Sequence, residues 1–478
     1  MKRVPLLLVG LMLLAPHAQA QASSPNPAPA AAPTDFRATV PTAHPSSKFA
    51  PPTIREARLQ NGIRVLVVER HELPLVALKV VSDIGESESP DGVPWLAADV
   101  ATSATHAHFS WELGHEFQLI GASYDASSSL DGTRIDLHFL APHLGRALEL
   151  AAEVATDANF VSALLDPARV AGSDARHEAT RWPAITLAGD LFPETHPFHT
   201  LGWGTDASIS RAEPAALDAF WKRAFVANHM TLVVVGDVKL DDVVALASKH
   251  FGRISPSAEV APAPAALVAT TPRKSIVVVD QPNVAQVHVA VGSVAIDRKS
   301  PDYLRLVLLS GVLGSRVYAG TRNAHGYTYG VHTFLEEHRG SGLLLIQGAI
   351  ELGNAAQSLR DIFAAAANLS SLAIGDEELA RAKSRVRSGW ASAFETNAGT
   401  AATLATFAQL GEPIAEIDRR NQELDALTAN DVLAVAQTYL DPKKLHVVVV
   451  GGGHDLTTEL APLGLGPVEI RSAPPHAK

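Results

Sequence analysis

An internal repeat constrains this chain more than any other feature. Phe220-Trp221-Lys222-Arg223-Ala224-Phe225 leads through Val226–Met230 into the apolar run Thr231–Val235 and then Gly236. Val435–Leu445 leads in the same way into His446–Val450 and Gly451, 215 residues further on. The starts of the two stretches match as well. Ile63–Glu69 is followed by Pro74 and the run Val76–Asp83; Ser275–Asp280 is followed by Pro282 and the run Ala285–Gly292. A helical segment comes next in each, about Pro94–Thr105 and about Asp302–Leu313. Self-similarity on this scale predicts two copies of one folding unit.

Within a half, strands and helices do not alternate strictly. Gly132–Leu140 places Ile135, Leu137 and Phe139 on one side and Arg134, Asp136 and His138 on the other, as a half-buried strand does. Gly121–Ser129 reads as its partner across the Leu130-Asp131-Gly132 turn. His143–Phe160 carries Leu144, Ala147, Leu148 and Ala151 at helical spacing, and Asp376 opens a helix with Leu379, Lys383, Val386 and Trp390. The expected class is α+β: two homologous domains, each a mainly antiparallel sheet with helices packed on one face.

Punctuation divides the chain further. Residues 1–20 read as an export signal, with Lys2 and Arg3, an apolar core Leu6–Ala15 too short to span a bilayer, and cleavage after Ala20. A Pro/Ala-rich leader, 21–48, precedes an N-terminal domain at 49–254. A second Pro-rich stretch, 255–272, reads as an interdomain linker and the natural place for a hinge; the C-terminal domain is 273–478. No later run of 18 apolar residues occurs, so no membrane span is expected. The chain has no Cys, which excludes disulfides, thiolate metal sites and a lipidated cysteine. With the signal, this points to the periplasm. A net charge of −11 argues against nucleic acid, whose phosphates need a basic face.

Gly320-Thr-Arg322-Asn-Ala-His-Gly326-Tyr327-Thr-Tyr329-Gly-Val331 resembles the R/Y segment of the pitrilysin/insulinase family of zinc peptidases. Leu313-Gly-Ser-Arg316 precedes it at the family's distance. Leu119–Ala126, His196-Pro-Phe-His199 with Gly202 and Gly204-Thr205, and Asn228–Val238 are similar to the family in order and spacing. The resemblance covers roughly residues 50–455, to the two-domain bacterial peptidases and the mitochondrial processing peptidase subunits. It implies that Arg322 and Tyr329 are the catalytic pair, with Tyr327 a competitor at the wrong spacing. A Tyr hydroxyl can donate to the oxyanion formed as water attacks a peptide, and an Arg can fix the substrate backbone.

The family's H-x-x-E-H belongs at the helix after the second strand, where two His one turn apart hold zinc beside a Glu that activates water. There this chain reads Trp95-Leu96-Ala97-Ala98-Asp99. Trp and Ala cannot ligate a metal, and a lone Asp99 cannot hold one. The family's third ligand would fall near Asp174–Glu178, where Glu178 reads as an ordinary exposed charge. His106, His108, Glu112, His115 and Glu116 form the alternative metal-binding cluster, and Glu336-Glu337-His338 a weaker one.

No cofactor is therefore expected in this chain; zinc is expected in a partner. The resemblance implies the metal-free subunit of a heterodimeric periplasmic endopeptidase, inactive alone. Arg322 and Tyr329 would act in trans on a peptide at the zinc of a homologous subunit. The alternative is a non-catalytic structural or peptide-binding protein of the same fold.

Overall fold

The computed structural model describes residues 49–472 except 90, 179, 259–274 and 282–283. The expected signal, leader and most of the linker, together with Pro282, lie outside the described residues.

Twelve strands form two six-stranded sheets. In the first half these are β1 (Arg55–Arg58), β2 (Arg64–Glu69), β3 (Leu75–Ser82), β4 (Ser123–Ser129), β5 (Gly132–Leu140) and β6 (Met230–Gly236). In the second they are β7 (Ile276–Asp280), β8 (Gln286–Ala295), β9 (Gly330–Glu337), β10 (Gly342–Glu351), β11 (His446–Gly451) and β12 (Val468–Ser472). The spatial orders are β1-β2-β6-β3-β5-β4 and β12-β7-β11-β8-β10-β9. Five strands of each sheet follow the same permutation, so the repeat read from the sequence is a repeat of topology. The sixth differs. β1 pairs antiparallel with β2, whereas β12 pairs parallel with β7. Each sheet is mixed and mostly antiparallel, because β6 and β11 return parallel to β2 and β7. The edge strands are β1 and β4 in the first sheet and β12 and β9 in the second.

The helices of the first half are α1 (Val93–Ala101), α2 (Trp111–Leu119), α3 (Leu144–Asp157), α4 (Ser162–Arg176), α5 (Trp182–Leu191), α6 (Asp206–Arg211), α7 (Pro214–Ala224) and α8 (Leu240–Phe251). Those of the second are α9 (Tyr303–Tyr318), α10 (Ala355–Ser371), α11 (Asp376–Ala393), α12 (Asn397–Gln409), α13 (Glu416–Ala426), α14 (Ala429–Tyr439) and α15 (Gly453–Leu460). Each half packs helices of its own on one face of its sheet, as expected. Leu96, Leu148, Leu217 and Val243 meet Val65, Leu78, Ile135 and Val234; Leu309, Leu359 and Val435 meet Val278, Val289 and Val449.

The opposite faces are also covered, each by one helix from the other half. Trp182, Leu187, Ala188 and Leu191 of α5 pack on Val277, Val279, Ala290, Leu345 and Val448 of the second sheet. Ala401, Leu404 and Ala405 of α12 pack on Leu66, Val68, Ala77, Val233 and Val235 of the first. This exchange explains why the central strands are unbroken apolar runs: both faces are dry. Arg70 fixes the start of α12. Its guanidinium donates to Phe394 O at 2.6 Å, Glu395 O at 3.1 Å and Thr400 Oγ1 at 3.1 Å. A hinge between the halves at 255–272 would have to uncover both exchanged cores, so their packing opposes opening there. Leu404→Ala should destabilise the whole chain by about 3 kcal/mol. In denaturant melts it should shift one cooperative transition; a separate second-half transition would contradict a shared core.

Candidate functional site

α9 does not end cleanly. It runs into a wide π-helical turn, Ala319–Ala324, which carries Arg322. Such turns are uncommon and often sit at functional sites. The chain reverses at Gly326, whose φ of +74° is the left-handed region that favours glycine. Thr321 and Thr328 fix the two sides of the loop. Thr321 Oγ1 donates to Val317 O at 2.8 Å, Tyr327 N donates to Thr321 O at 3.2 Å, and Thr328 Oγ1 donates to Ala349 O at 2.5 Å. Arg322 Nη1 then donates to Thr328 O at 3.1 Å, and its guanidinium lies 5.1 Å from the centre of the Tyr329 ring.

The fold thus brings Arg322 and Tyr329 together. Tyr329 is 86% exposed, an unusual setting for so large a ring. Tyr327 is different: it packs against the second core and stacks on His325 at 4.9 Å. Only Tyr329 of the two presents itself to a ligand.

The position of the missing zinc motif lies elsewhere. Trp95, Ala98 and Asp99 of α1 line a cavity of about 450 Å³ between the halves. Trp95 packs its six-membered ring against Gly172 of α4, where a side chain would not fit, and its ring centre is 5.6 Å from that of Trp203. Indole therefore occupies space a metal and its ligands would need. Asp174 and Glu178 are exposed, and Glu178 pairs with Arg181 at 3.1 Å. These residues do not fit zinc. β9 runs from the Tyr329 end toward this cavity, which Glu336 and His338 also line. Tyr329 and Glu336 are seven positions apart along extended chain, roughly 23 Å. Neither Arg322 nor Tyr329 lines the cavity at α1.

The alternative clusters are taken up by other partners. His108 Nδ1 meets Glu153 Oε1 at 2.8 Å, His106 Nδ1 meets Asp157 O at 3.0 Å, Glu112 accepts from Phe109 N at 3.1 Å, and Glu116 pairs with Arg146 at 2.6 Å. Among the described residues no group of three or more His, Cys, Asp or Glu could hold a metal ion. Glu337 pairs with Arg298. His338 instead joins the halves: its Nδ1 is 2.6 Å from Asp131 Oδ2, and Glu336 Oε2 stands 3.7 Å from Nε2. Arg339 adds N to Asp131 Oδ1 at 2.8 Å, Nη2 to Glu88 Oε1 at 3.2 Å, and Nη2 to Asp83 O at 2.9 Å. Burial opposes the imidazolium, but the hydrogen bond to Asp131 and the Glu336 carboxylate outweigh it and push His338 up to about 9. Burial raises Glu86 to about 8 against the pull of the His338 charge.

A sequence search singles out none of Glu86, Asp131, Arg181 or Trp203. The acidic loop Glu86-Ser-Glu88 directly after a buried strand was the available signal for the first.

Two six-stranded mixed sheets in one repeated topology, with an exposed Arg/Tyr pair on the edge of the second, are the arrangement to be compared with known proteins. A model described as the peptidase M16 inactive domain matches residues 211–386. An uncharacterized zinc protease of Mycobacterium leprae is 22% identical over 417 residues, covering 82% of this chain and 90% of that protein. The crystal structure of a peptidase M16 inactive domain from Pseudomonas fluorescens superposes with a TM-score of 0.74 at 23% identity, covering 83% of this chain and 98% of the other. A protease from Helicobacter pylori gives a TM-score of 0.75 at 20% identity, covering 84% and 99%. Over most of its length the chain is similar to pitrilysin/insulinase-type (M16) peptidases, and at the place of their zinc motif it reads Trp95-Leu96-Ala97-Ala98-Asp99. No helix among the described residues is long and apolar enough to cross a membrane.

Proposed function

We propose that this chain is the metal-free subunit of a heterodimeric zinc endopeptidase of the periplasm. A homologous subunit with an intact H-x-x-E-H supplies the zinc. This chain supplies Arg322 and Tyr329 in trans, to a peptide or unfolded segment bound between the two. The observation that carries the reading is the exposed Arg322–Tyr329 pair at the end of an edge strand, remote from a metal position filled by Trp95. As water attacks the scissile carbonyl, negative charge builds on its oxygen. A hydroxyl already aimed there stabilises the transition state without reorganising. Arg322, tied to Thr328 O, holds the loop that presents Tyr329 and retains donors for the substrate backbone. The export signal at 1–20 and the absence of Cys support a periplasmic site.

The second reading is a non-catalytic structural or peptide-binding protein of the same fold. The family model's own description as an inactive domain favours it. Peptidase assays of the chain alone and mixed with its zinc-bearing homologue distinguish the two. Activity only in the mixture supports the first reading; a stable but inactive complex supports the second.

A further inference from the structure

The cavity at the vestigial metal position is built to take a ligand of a different kind. Glu86 lines it and is only 5% exposed, yet among the described residues no hydrogen-bond donor reaches its carboxyl group. Gly202 leaves room for that carboxyl, since a Cβ there would overlap Glu86 Oε2. The Gln347 amide oxygen on the same wall is buried without a hydrogen bond. Asp99 and Glu336 add carboxyl groups, the latter 3.7 Å from His338 Nε2, so the cationic Arg181 and His338 are outnumbered on the wall by carboxyl groups. The indoles of Trp95 and Trp203 flank them, and Trp203 already carries the Arg181 guanidinium 4.8 Å above its ring. Acceptors beside aromatic walls match a cation with several N–H donors. The volume of about 450 Å³ is that of a small-molecule site.

We propose that this junction cavity binds a small organic cation, an alkyl guanidinium or ammonium group, with the Glu86 carboxyl as its principal acceptor. An elongated side chain such as that of a basic peptide residue has the right form. The site uses neither Arg322 nor Tyr329, so the proposal stands apart from the trans-acting role. The charged groups that line the cavity with Glu86 are His338 and Glu336 from β9 and its turn, Asp99 from α1 and Arg181 before α5; Asp131 pairs with His338, and Arg339 with Asp131 and Glu88. Burial keeps Glu86 largely protonated at pH 7, while a bound cation favours the carboxylate, so binding releases a proton.

The test is calorimetric titration of the full chain with n-butylguanidinium and with the neutral isostere n-butylurea, in buffers of different ionisation enthalpy. Butylguanidinium should bind with proton release and butylurea should not. Glu86→Gln should weaken binding by about ten-fold or more, and Tyr329→Phe should leave it unchanged. Asp99→Asn, at the cavity mouth, gives a second variant that does not disturb the interior, and it should weaken binding several-fold. Absence of guanidinium binding, equal binding of the urea, or affinity untouched by both Glu86→Gln and Asp99→Asn would overturn the proposal.

Discussion

Tyr329→Phe should lower kcat of the proposed two-chain peptidase by about ten- to a thousand-fold while leaving the affinity between the chains intact. The size follows from what is removed. One hydroxyl that donates to a developing oxyanion contributes far more in the transition state than in the ground state, so kcat falls and KM moves little. The loop should survive the change. Its order comes from Thr321, Gly326 and Thr328, and the Tyr329 ring with its neighbouring guanidinium remains. Steady-state kinetics with a quenched-fluorescent peptide, with the complex verified by size-exclusion chromatography, checks this. Unchanged turnover would remove Tyr329 from the reaction.

Asp131→Ala should cost about 3–5 kcal/mol of stability, because it strips a buried carboxylate from cationic and backbone donors of the other half. Asp131 is 6% exposed and accepts from His338 Nδ1 and from Arg339 N. Burial alone would raise its pKa, but the hydrogen bond and charge of His338 and the Arg339 contacts prevail and hold it below the usual carboxylate range. Its contribution is therefore present above the ordinary Asp value of about 3.9 and is lost as pH falls through the depressed folded value. His338 has the opposite sign. Its folded value of about 9 lies above the unfolded value of about 6.5, so its contribution is complete below 6.5 and lost as pH rises toward 9. Glu86, raised to about 8, contributes fully below about 4.3 and loses that contribution as pH rises through 8. Denaturant melts should show stability falling between pH 6 and 9. In Asp131→Ala the slope should be smaller, since His338 has lost its main partner. A loss under 1 kcal/mol, or an unchanged slope, would show that the pair does not hold the junction.

The sequence made some parts of this structure legible and hid others. The repeat was visible because local signals recur in order: a Gly-terminated strand after a helix, and two strands around a proline. The Arg322–Tyr329 pair was visible because its members are seven residues apart on one loop. The residues Trp95, Ala98 and Asp99 at the place of the family's zinc motif are read directly within α1. Contacts spanning hundreds of residues were not. His338 meets Asp131 across 207 positions, and Arg339 meets Glu88 across 251. Glu336-Glu337-His338, read locally, resembled a weak metal candidate; the main partner of His338, Asp131, lies in the other half.

Helix exchange was hidden for the same reason, although two signals pointed to it. Ile276–Val279, Val447–Val450 and Leu232–Val235 are continuous apolar runs, as strands covered on both faces require. The helix Asn397–Gln409 is almost wholly small or apolar, with no charged side chain, as a helix without a wet face should be. Expecting helices on one face only left the second face, and hence the interlocking of the halves, unforeseen.

The central claim is that this chain completes a peptidase site it cannot form alone. Its most direct test is hydrolysis of a quenched-fluorescent peptide library, with zinc analysis, by this chain alone and after addition of its H-x-x-E-H homologue. The account predicts an inactive, zinc-free chain alone and an active mixture that needs Tyr329. Activity with stoichiometric zinc in the lone chain would contradict it.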